Sequence, residues 1–188
     1  MKLLIVAPSR VGGRNLSKWL SMELKMPWIH EPFHFHEQTY IQTIDDLKSC
    51  LKNDNILVKV NYGDWKENFY DSDFFNIFDK IICLTREDTF EASISFTIAY
   101  QTKNFTESYT IKNNWIENNF TEIKLNQTYL DEVTEQTKNI KNSLQITYEG
   151  VYVNKNDINR IKEYLDISEL KHENLLDYNL RYRKQRML

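Results

Sequence analysis

Residues 80–97 read KIICLTREDTFEASISFT, an apolar run that ends at an arginine and continues into a segment with two serines. The run 80–84 predicts a buried strand, and the capping-box spacing of Asp88 and Glu91 predicts a helix that begins near Asp88. In an open α/β sheet, ligands bind in the crevice beyond the carboxyl ends of the strands. Arg86 is therefore expected to hold an anion, the alternative being a surface salt bridge.

The N-terminal segment contains a second strand-to-helix junction. Lys2–Ala7 is an apolar run of strand length, and the turn 8–15 (PSRVGGRN) precedes an amphipathic helix. A glycine-containing turn in this position presents backbone N–H groups and the positive end of a helix dipole to an anion. Arg10 and Arg14 add charges that can bind phosphate or sulfate oxygens. The turn lacks the Gly-Lys-Ser/Thr ending of a Walker A loop, so a nucleotide triphosphatase is disfavoured.

Strands alternate with helices along the chain. Further strands are predicted at 56–60 and Leu144–Thr147, and helices at 14–24, 45–51, 89–101 and 157–165, with one or two more within 110–141. This alternation is typical of parallel βαβ units. We therefore predict one domain over 1–188, an α/β three-layer sandwich with a central parallel sheet.

Composition and charge indicate the compartment and the partners of this protein. The net charge is −3, and four of the 24 cations lie within 181–186, which makes this segment a basic patch on an acidic body. The alternative is a solvated helix end or a nonspecific contact with a polyanion. Two cysteines give no disulfide framework, and the sequence shows no signal-peptide pattern and no membrane-spanning apolar run. We expect a cytoplasmic protein that binds neither nucleic acid nor a membrane.

Several segments resemble sulfotransferases that use 3′-phosphoadenosine 5′-phosphosulfate (PAPS). Residues 9–16 (SRVGGRNL) resemble the loop that binds the 5′-phosphosulfate, and residues 84–102 resemble the motif that binds the 3′-phosphate. The spacing from Arg86 to Ser95 and the later Ala-Tyr-Gln-Thr at 99–102 are closest to the bacterial trehalose 2-sulfotransferase-like branch. Residues 144–150 are similar to a late strand and its Tyr-Glu turn, and 182–185 to a basic segment that closes over the donor.

The resemblance implies the P-loop NTPase-like sulfotransferase fold. It implies an enzyme that moves a sulfuryl group from PAPS to a hydroxyl of a small carbohydrate acceptor by in-line displacement, with no metal required. The implied donor site consists of Arg10, Val11, Gly12, Gly13, Arg14, Asn15, Arg86, Ser95, Arg183 and Lys184. Within it, the loop amides hold the 5′-phosphate, Arg10 stabilises the sulfuryl, and the last four residues grip the 3′-phosphate. Ser93 is the alternative serine, on another side of the helix.

The segment 30–34 (HEPFH) matches the zinc-protease pattern H-E-x-x-H. That chemistry needs both histidines on one face of a continuous helix, and Pro32 interrupts helical geometry. A metal site is therefore disfavoured. The resemblance instead places Glu31 at the turn that carries the general base, with a surface ion pair as the alternative and His34 or His36 as fallback bases.

The sequence allows two interpretations each for Lys59 and for the region 110–141. Lys59 stands in an otherwise apolar strand, so it faces either a solvated edge or the acceptor cleft near Trp65. The region 103–142 matches no family motif. The resemblance implies that 110–141 within it covers the acceptor and contributes to dimer contacts, so a homodimer is one expectation; the alternative is a helical lid packed on its own core. An apolar stripe is predicted there from Tyr109, Trp115, Phe120, Leu125, Tyr129 and Val133.

Two rival functions remain at this level. A kinase with a degenerate P-loop would depend on ATP and Mg²⁺, which the missing Lys-Ser/Thr pair disfavours. A non-catalytic nucleotide-binding protein of the same fold would fit the replacement of the family's loop hydroxyls by Gly13, Arg14 and Asn15. Binding of the donor without turnover would identify the second rival.

Overall fold

A computed structural model describes residues 1–34, 41, 43–52, 55–63, 73–103, 114–170 and 175. The strands in these residues are β1 (Lys2–Ala7), β2 (Trp28–His30), β3 (Ile56–Asn61), β4 (Lys80–Thr85) and β5 (Leu144–Thr147). The α-helices are α1 (Gly13–Leu24), α2 (Ile44–Cys50), α3 (Thr89–Thr102), α4 (Trp115–Asn118), α5 (Phe120–Lys138) and α6 (Asn156–Leu165). A 3₁₀ helix spans Phe74–Ile77 and a π-helical segment spans Glu149–Val153. No α-helix in this part of the chain is long and apolar enough to cross a membrane.

The five strands form one parallel sheet in the order β2-β3-β1-β4-β5. β1 lies at its centre, with Val6 paired to Val60 of β3 on one side and to Cys83 of β4 on the other. The chain leaves β1 towards β2 at one edge and leaves β4 towards β5 at the opposite edge. The crevice between the ends of β1 and β4 is therefore a topological switch point, where α/β sheets bind ligands.

Helices cover both faces of the sheet, so the predicted α/β fold with a central parallel sheet is confirmed. Alternate side chains of a strand point to opposite faces. Leu3 and Ile5 of β1 pack with residues of α1 and α6, whereas Leu4 and Val6 pack with residues of α2 and α5. All four of these β1 side chains have no exposed surface.

Most predicted elements agree with the structure within one residue at each end. β2 was not predicted, because its three residues are too few to show a periodic pattern. The apolar stripe predicted for this region is wrong at Phe120, Leu125 and Tyr129, which are exposed, whereas Val133 is buried. The buried face of α5 consists of Ile123, Leu130, Val133, Thr134 and Thr137. Tyr109 lies outside the described residues.

Asp157 at the start of α6 fixes the turn that follows β5. Its Oδ2 accepts a hydrogen bond from the Thr147 N–H at 2.9 Å, and its Oδ1 pairs with Arg160. The carboxylate of Asp157 lies close to the Gly150 backbone, since a Cβ added at Gly150 would be only 2.0 Å from Asp157 Oδ2. The carboxylate is buried and takes the place of a backbone acceptor at the end of the strand.

We expect Asp157→Ala to lower the free energy of unfolding by about 1–3 kcal/mol, because it leaves a partly buried N–H without its acceptor. The measurement is urea denaturation. Glu163→Ala removes an exposed carboxylate from the same helix and serves as the control, with an expected change within about 0.5 kcal/mol. Equal effects of the two substitutions would contradict this role of Asp157.

Candidate functional site

The loop after β1 has the backbone geometry of an anion site. Arg10 and Gly12 both have positive φ, 66° and 86°, and Gly12 caps α1, which begins at Gly13. The first turn of α1 contains no acidic residue. The first N–H groups of a helix lack intrahelical acceptors and carry its positive dipole end, so this turn favours a bound anion.

Close approaches explain the two adjacent glycines. A Cβ at Gly12 would lie 2.7 Å from Tyr152 Cε2, and the Tyr152 hydroxyl donates to the Gly12 carbonyl at 2.7 Å. Burial raises the pKa of Tyr152 well above its ordinary value, so the phenol stays protonated and remains a donor. A Cβ at Gly13 would meet the Ala7 Cβ at 2.7 Å and Lys59 Cε at 3.1 Å. The chain therefore has glycine at a position where the resembled loop carries hydroxyl residues.

Two hydrogen bonds tie this loop to other elements. The Arg10 Nε donates to the Ser95 Oγ of α3 at 3.0 Å. The Asn61 Nδ2 at the end of β3 donates to the Ser9 Oγ at 2.7 Å. The structure thus brings Arg10 and Ser95 together, although the sequence assigned them to opposite ends of the donor. Ser93 is buried and donates to the Phe90 carbonyl at 2.7 Å, so Ser95 is the serine that Arg10 contacts.

Glu31 lies at the end of β2, next to the loop. Its backbone has φ 46° and its N–H donates to the Lys59 carbonyl at 2.7 Å. Its carboxylate forms an ion pair with the ammonium of Lys59, which is only 3% exposed. β3 lies between β2 and β1, so Lys59 does not face a solvated edge. The second reading of Lys59, in which it belongs to a cleft, fits this contact; Trp65 lies outside the described residues.

Burial and neighbouring charges set the protonation states of Glu31 and His30. Burial raises the pKa of Glu31, but the charges of Lys59 and His30 and the Lys59 hydrogen bond outweigh it, so the net pKa is lowered. Burial lowers the pKa of His30 from 6.5 to about 4, and the Glu31 charge opposes this only partly. Glu31 is consequently ionised near pH 7 and His30 is neutral. A carboxylate of this kind can accept a proton once an acceptor hydroxyl becomes acidic.

The helix that a zinc-protease motif requires does not form here. His30 is in a strand, and residues 31–34 make a turn in which the His34 N–H donates to the Glu31 carbonyl at 2.9 Å. Among the described residues, no group of three or more His, Cys, Asp or Glu side chains is placed to hold a metal. His36 lies outside those residues.

Arg86 lies at the end of β4, across the crevice from the β1 loop. Its side chain is 11% exposed, its Cζ lies 4.5 Å from the centre of the Tyr148 ring, and its Nε is 3.8 Å from Glu149 Oε1. Tyr148 also borders the loop, since a Cβ at Gly12 would lie 3.2 Å from Tyr148 Cδ2. The ion pair considered from the sequence therefore exists, but it is largely buried. Asp88 caps α3 by accepting from the Glu91 N–H at 2.8 Å, as its spacing predicted.

The structure places the predicted loop residues, Glu31, Arg86 and Ser95 at the carboxyl edge of the sheet. Arg183 and Lys184 lie outside the described residues, so their assignment to the 3′-phosphate stays a prediction. The partnership of Lys59 with Glu31 was not predicted, although a charge in an apolar strand was the available signal. Tyr152 was not predicted either, because nothing local in the sequence connects this residue to a loop 140 positions away.

Comparison with known proteins supports the fold through similarity to a solved structure. No protein-family model matches the chain, and no curated protein matches it. Among solved structures, the mouse sulfotransferase SULT7A1 complexed with PAP is similar, with a TM-score of 0.55 and 14% sequence identity. The match covers 89% of this chain and 59% of that chain, so this protein spans about three fifths of its neighbour. The likeness establishes a shared fold.

We expect the free energy of unfolding to fall as the pH is lowered from 6.5 towards about 4, the unfolded and folded pKa values of His30. In this interval the unfolded chain binds a proton on His30 and the folded protein does not, so acidification favours unfolding. The contribution is about 3 kcal/mol at most. Urea denaturation at several pH values should show the slope in the wild type, and His30→Gln should reduce it. An unchanged slope in the variant would contradict the assignment.

Proposed function

We propose that this protein is a sulfotransferase that moves a sulfuryl group from PAPS to a hydroxyl of a small, carbohydrate acceptor. The observation that carries the proposal is that a helix N-terminus, a guanidinium and a partly buried carboxylate lie together at the carboxyl edge of the sheet. The turn that begins α1, the guanidinium of Arg86 and the ionised Glu31 belong to this one edge of the sheet. The shared fold with a sulfotransferase that was crystallised with PAP supports the same reading.

The donor would bind across the crevice between β1 and β4. The backbone amides from Val11 to Asn15 would hold the 5′-phosphate at the N-terminus of α1. Arg86 and Ser95 would hold the 3′-phosphate, with Arg183 and Lys184 closing over it. Because Arg10 already contacts Ser95, the two phosphate subsites would be linked through this pair.

The transfer would proceed by in-line displacement at sulfur. The acceptor oxygen forms a bond to sulfur while the bond from sulfur to the phosphate oxygen breaks, so the 5′-phosphate leaves on 3′-phosphoadenosine 5′-phosphate (PAP). Arg10 would stabilise the charge that develops on the sulfuryl and the leaving oxygen. Glu31 would take the hydroxyl proton late, because its lowered pKa makes it a weak base towards a ground-state hydroxyl.

Lys59 would support both partners of this reaction. Its side chain lies beside Gly13 of the donor loop, where an added Cβ would be 3.1 Å from Lys59 Cε, and it forms an ion pair with the Glu31 carboxylate. The ammonium therefore keeps Glu31 ionised and adds positive charge beside the phosphosulfate. Positioning and charge stabilisation would supply the rate enhancement, as in phosphoryl transfer.

The acceptor class follows from the resemblance to the trehalose 2-sulfotransferase-like branch, which rests on the Arg86-to-Ser95 spacing. A sugar hydroxyl would have to reach Glu31 at the end of β2. The Tyr129 hydroxyl of α5 lies beside Gly63, just after β3, where a Cβ added to the glycine would collide with it. Tyr129 is therefore a candidate for contact with the acceptor.

The donor assignment predicts selective binding of PAP. PAP should raise the melting temperature more than 5′-AMP does, because Arg86 and Ser95 address the 3′-phosphate; at 100 times Kd the stabilisation is about 2.7 kcal/mol. Thermal-shift measurements with PAP, 5′-AMP and ATP with Mg²⁺ test this. Equal stabilisation by PAP and 5′-AMP would remove the donor assignment, and stronger stabilisation by ATP with Mg²⁺ would favour a kinase.

The base assignment predicts a loss of turnover without a loss of donor binding. Glu31→Gln keeps the shape but cannot accept the proton, so turnover should fall by roughly 10²–10⁴ while the Kd of PAP stays close to that of the wild type. Sulfated product from a panel of sugars would be measured by mass spectrometry. Because the substitution leaves Lys59 without a carboxylate, PAP binding must first confirm that the variant is folded. Wild-type turnover in a folded variant would move the role to His34 or His36.

A further inference from the structure

The carboxylate of Glu149 holds the turn that follows β4. Its Oε2 accepts from the Glu87 N–H at 3.0 Å and its Oε1 from the Asp88 N–H at 3.4 Å. Glu149 itself lies just after β5, so one side chain joins the ends of two neighbouring strands. Hydrogen bonds to an ionised acceptor are stronger than neutral ones, and this turn leads directly into α3.

The same carboxylate faces the side chain of Arg86. Glu149 Oε1 lies 3.8 Å from the Arg86 Nε, and the Tyr148 ring covers the guanidinium at 4.5 Å from Cζ. The Nε is buried and makes no hydrogen bond with the described residues. The guanidinium is thus constrained on one face by a ring and on its Nε edge by a negative charge. Its two terminal nitrogens remain the edge that can bind a phosphate with two parallel hydrogen bonds.

We propose that Glu149 is a positioning residue that sets the preference for a 3′-phosphorylated nucleotide by fixing Arg86. This inference rests on the proposed function, in which Arg86 binds the 3′-phosphate. Arginine loses much rotamer freedom when it is ordered, so a guanidinium already held in place binds an anion more tightly.

The Glu149 carboxylate also has an opposing effect, because its negative charge repels an incoming phosphate. Its charge is compensated locally by two backbone N–H groups and by Arg86 itself, and the side chain is 22% exposed, so solvent screens it further. The two N–H bonds hold the carboxylate in place, so that its contact with the Arg86 Nε at 3.8 Å is maintained. We expect this positioning to outweigh the repulsion.

The test measures the Kd of PAP and of 5′-AMP by calorimetry for the wild type, Glu149→Ala and Glu149→Gln. Glu149→Ala should reduce the preference for PAP by roughly tenfold and leave the Kd of 5′-AMP within about threefold, on the scale of one lost charge-assisted contact. Glu149→Gln keeps one neutral acceptor and should fall between the two, and it carries the test if the alanine variant does not fold. Glu169→Ala, which removes an exposed carboxylate, should keep the wild-type preference.

A double-mutant cycle shows whether Glu149 acts through Arg86. In an Arg86→Ala background, Glu149→Ala should cause no further loss of preference, because the group that it positions is absent. Independent losses would overturn the inference, as would an unchanged or increased preference in Glu149→Ala. An equal weakening of both nucleotides would show a role in stability alone and would also overturn it. If the wild type shows no preference for PAP, the proposed function fails; if it does and Glu149→Ala keeps that preference, only the inference fails.

Discussion

The buried ammonium of Lys59 is the constraint on which the geometry of this edge of the sheet depends. An unpaired charge at 3% exposure inside a parallel sheet would cost several kcal/mol. Glu31 supplies the partner, in a left-handed backbone conformation that costs about 1–3 kcal/mol and is held by its N–H bond to the Lys59 carbonyl. The same side chain lies beside Gly13, where an added Cβ would be 3.1 Å from Lys59 Cε and 2.7 Å from the Ala7 Cβ. One cation thus shapes the turn after β2 and, together with Ala7, restricts the residue that begins α1.

The sheet order explains why distant segments share one site. β1 is central and its neighbours β3 and β4 end at the same edge, so Asn61, Arg86 and the first turn of α1 meet there without any direct sequence relation. Side chains then connect the loops, as Arg10 does with Ser95 and Asn61 with Ser9. The hydrogen bonds cross between elements, so each loop is shaped partly by a neighbour.

The sequence predicted what depends on local physics. Apolar runs marked β1, β3, β4 and β5, and the Asp88 cap marked the start of α3, because each is encoded within a few residues. β2 was missed because it is short, and the apolar stripe was wrong at Phe120, Leu125 and Tyr129 because large apolar residues can lie on an exposed face. The partners of Lys59 and Arg10 were not predicted, since these contacts join residues 28 and 85 positions apart. Site residue types were therefore readable from the sequence, while their pairing depended on the tertiary structure.

The hydroxyl of Tyr152 and the Gly12 carbonyl join the loop after β1 to a segment that the ribosome makes 140 residues later. A contact of this range can form only after both of its partners have been synthesised. A growing chain that has completed β1, β3 and β4 still lacks the π-helical segment against which the loop is shaped. The loop after β1 therefore takes its observed shape only once the segment that follows β5 has been made.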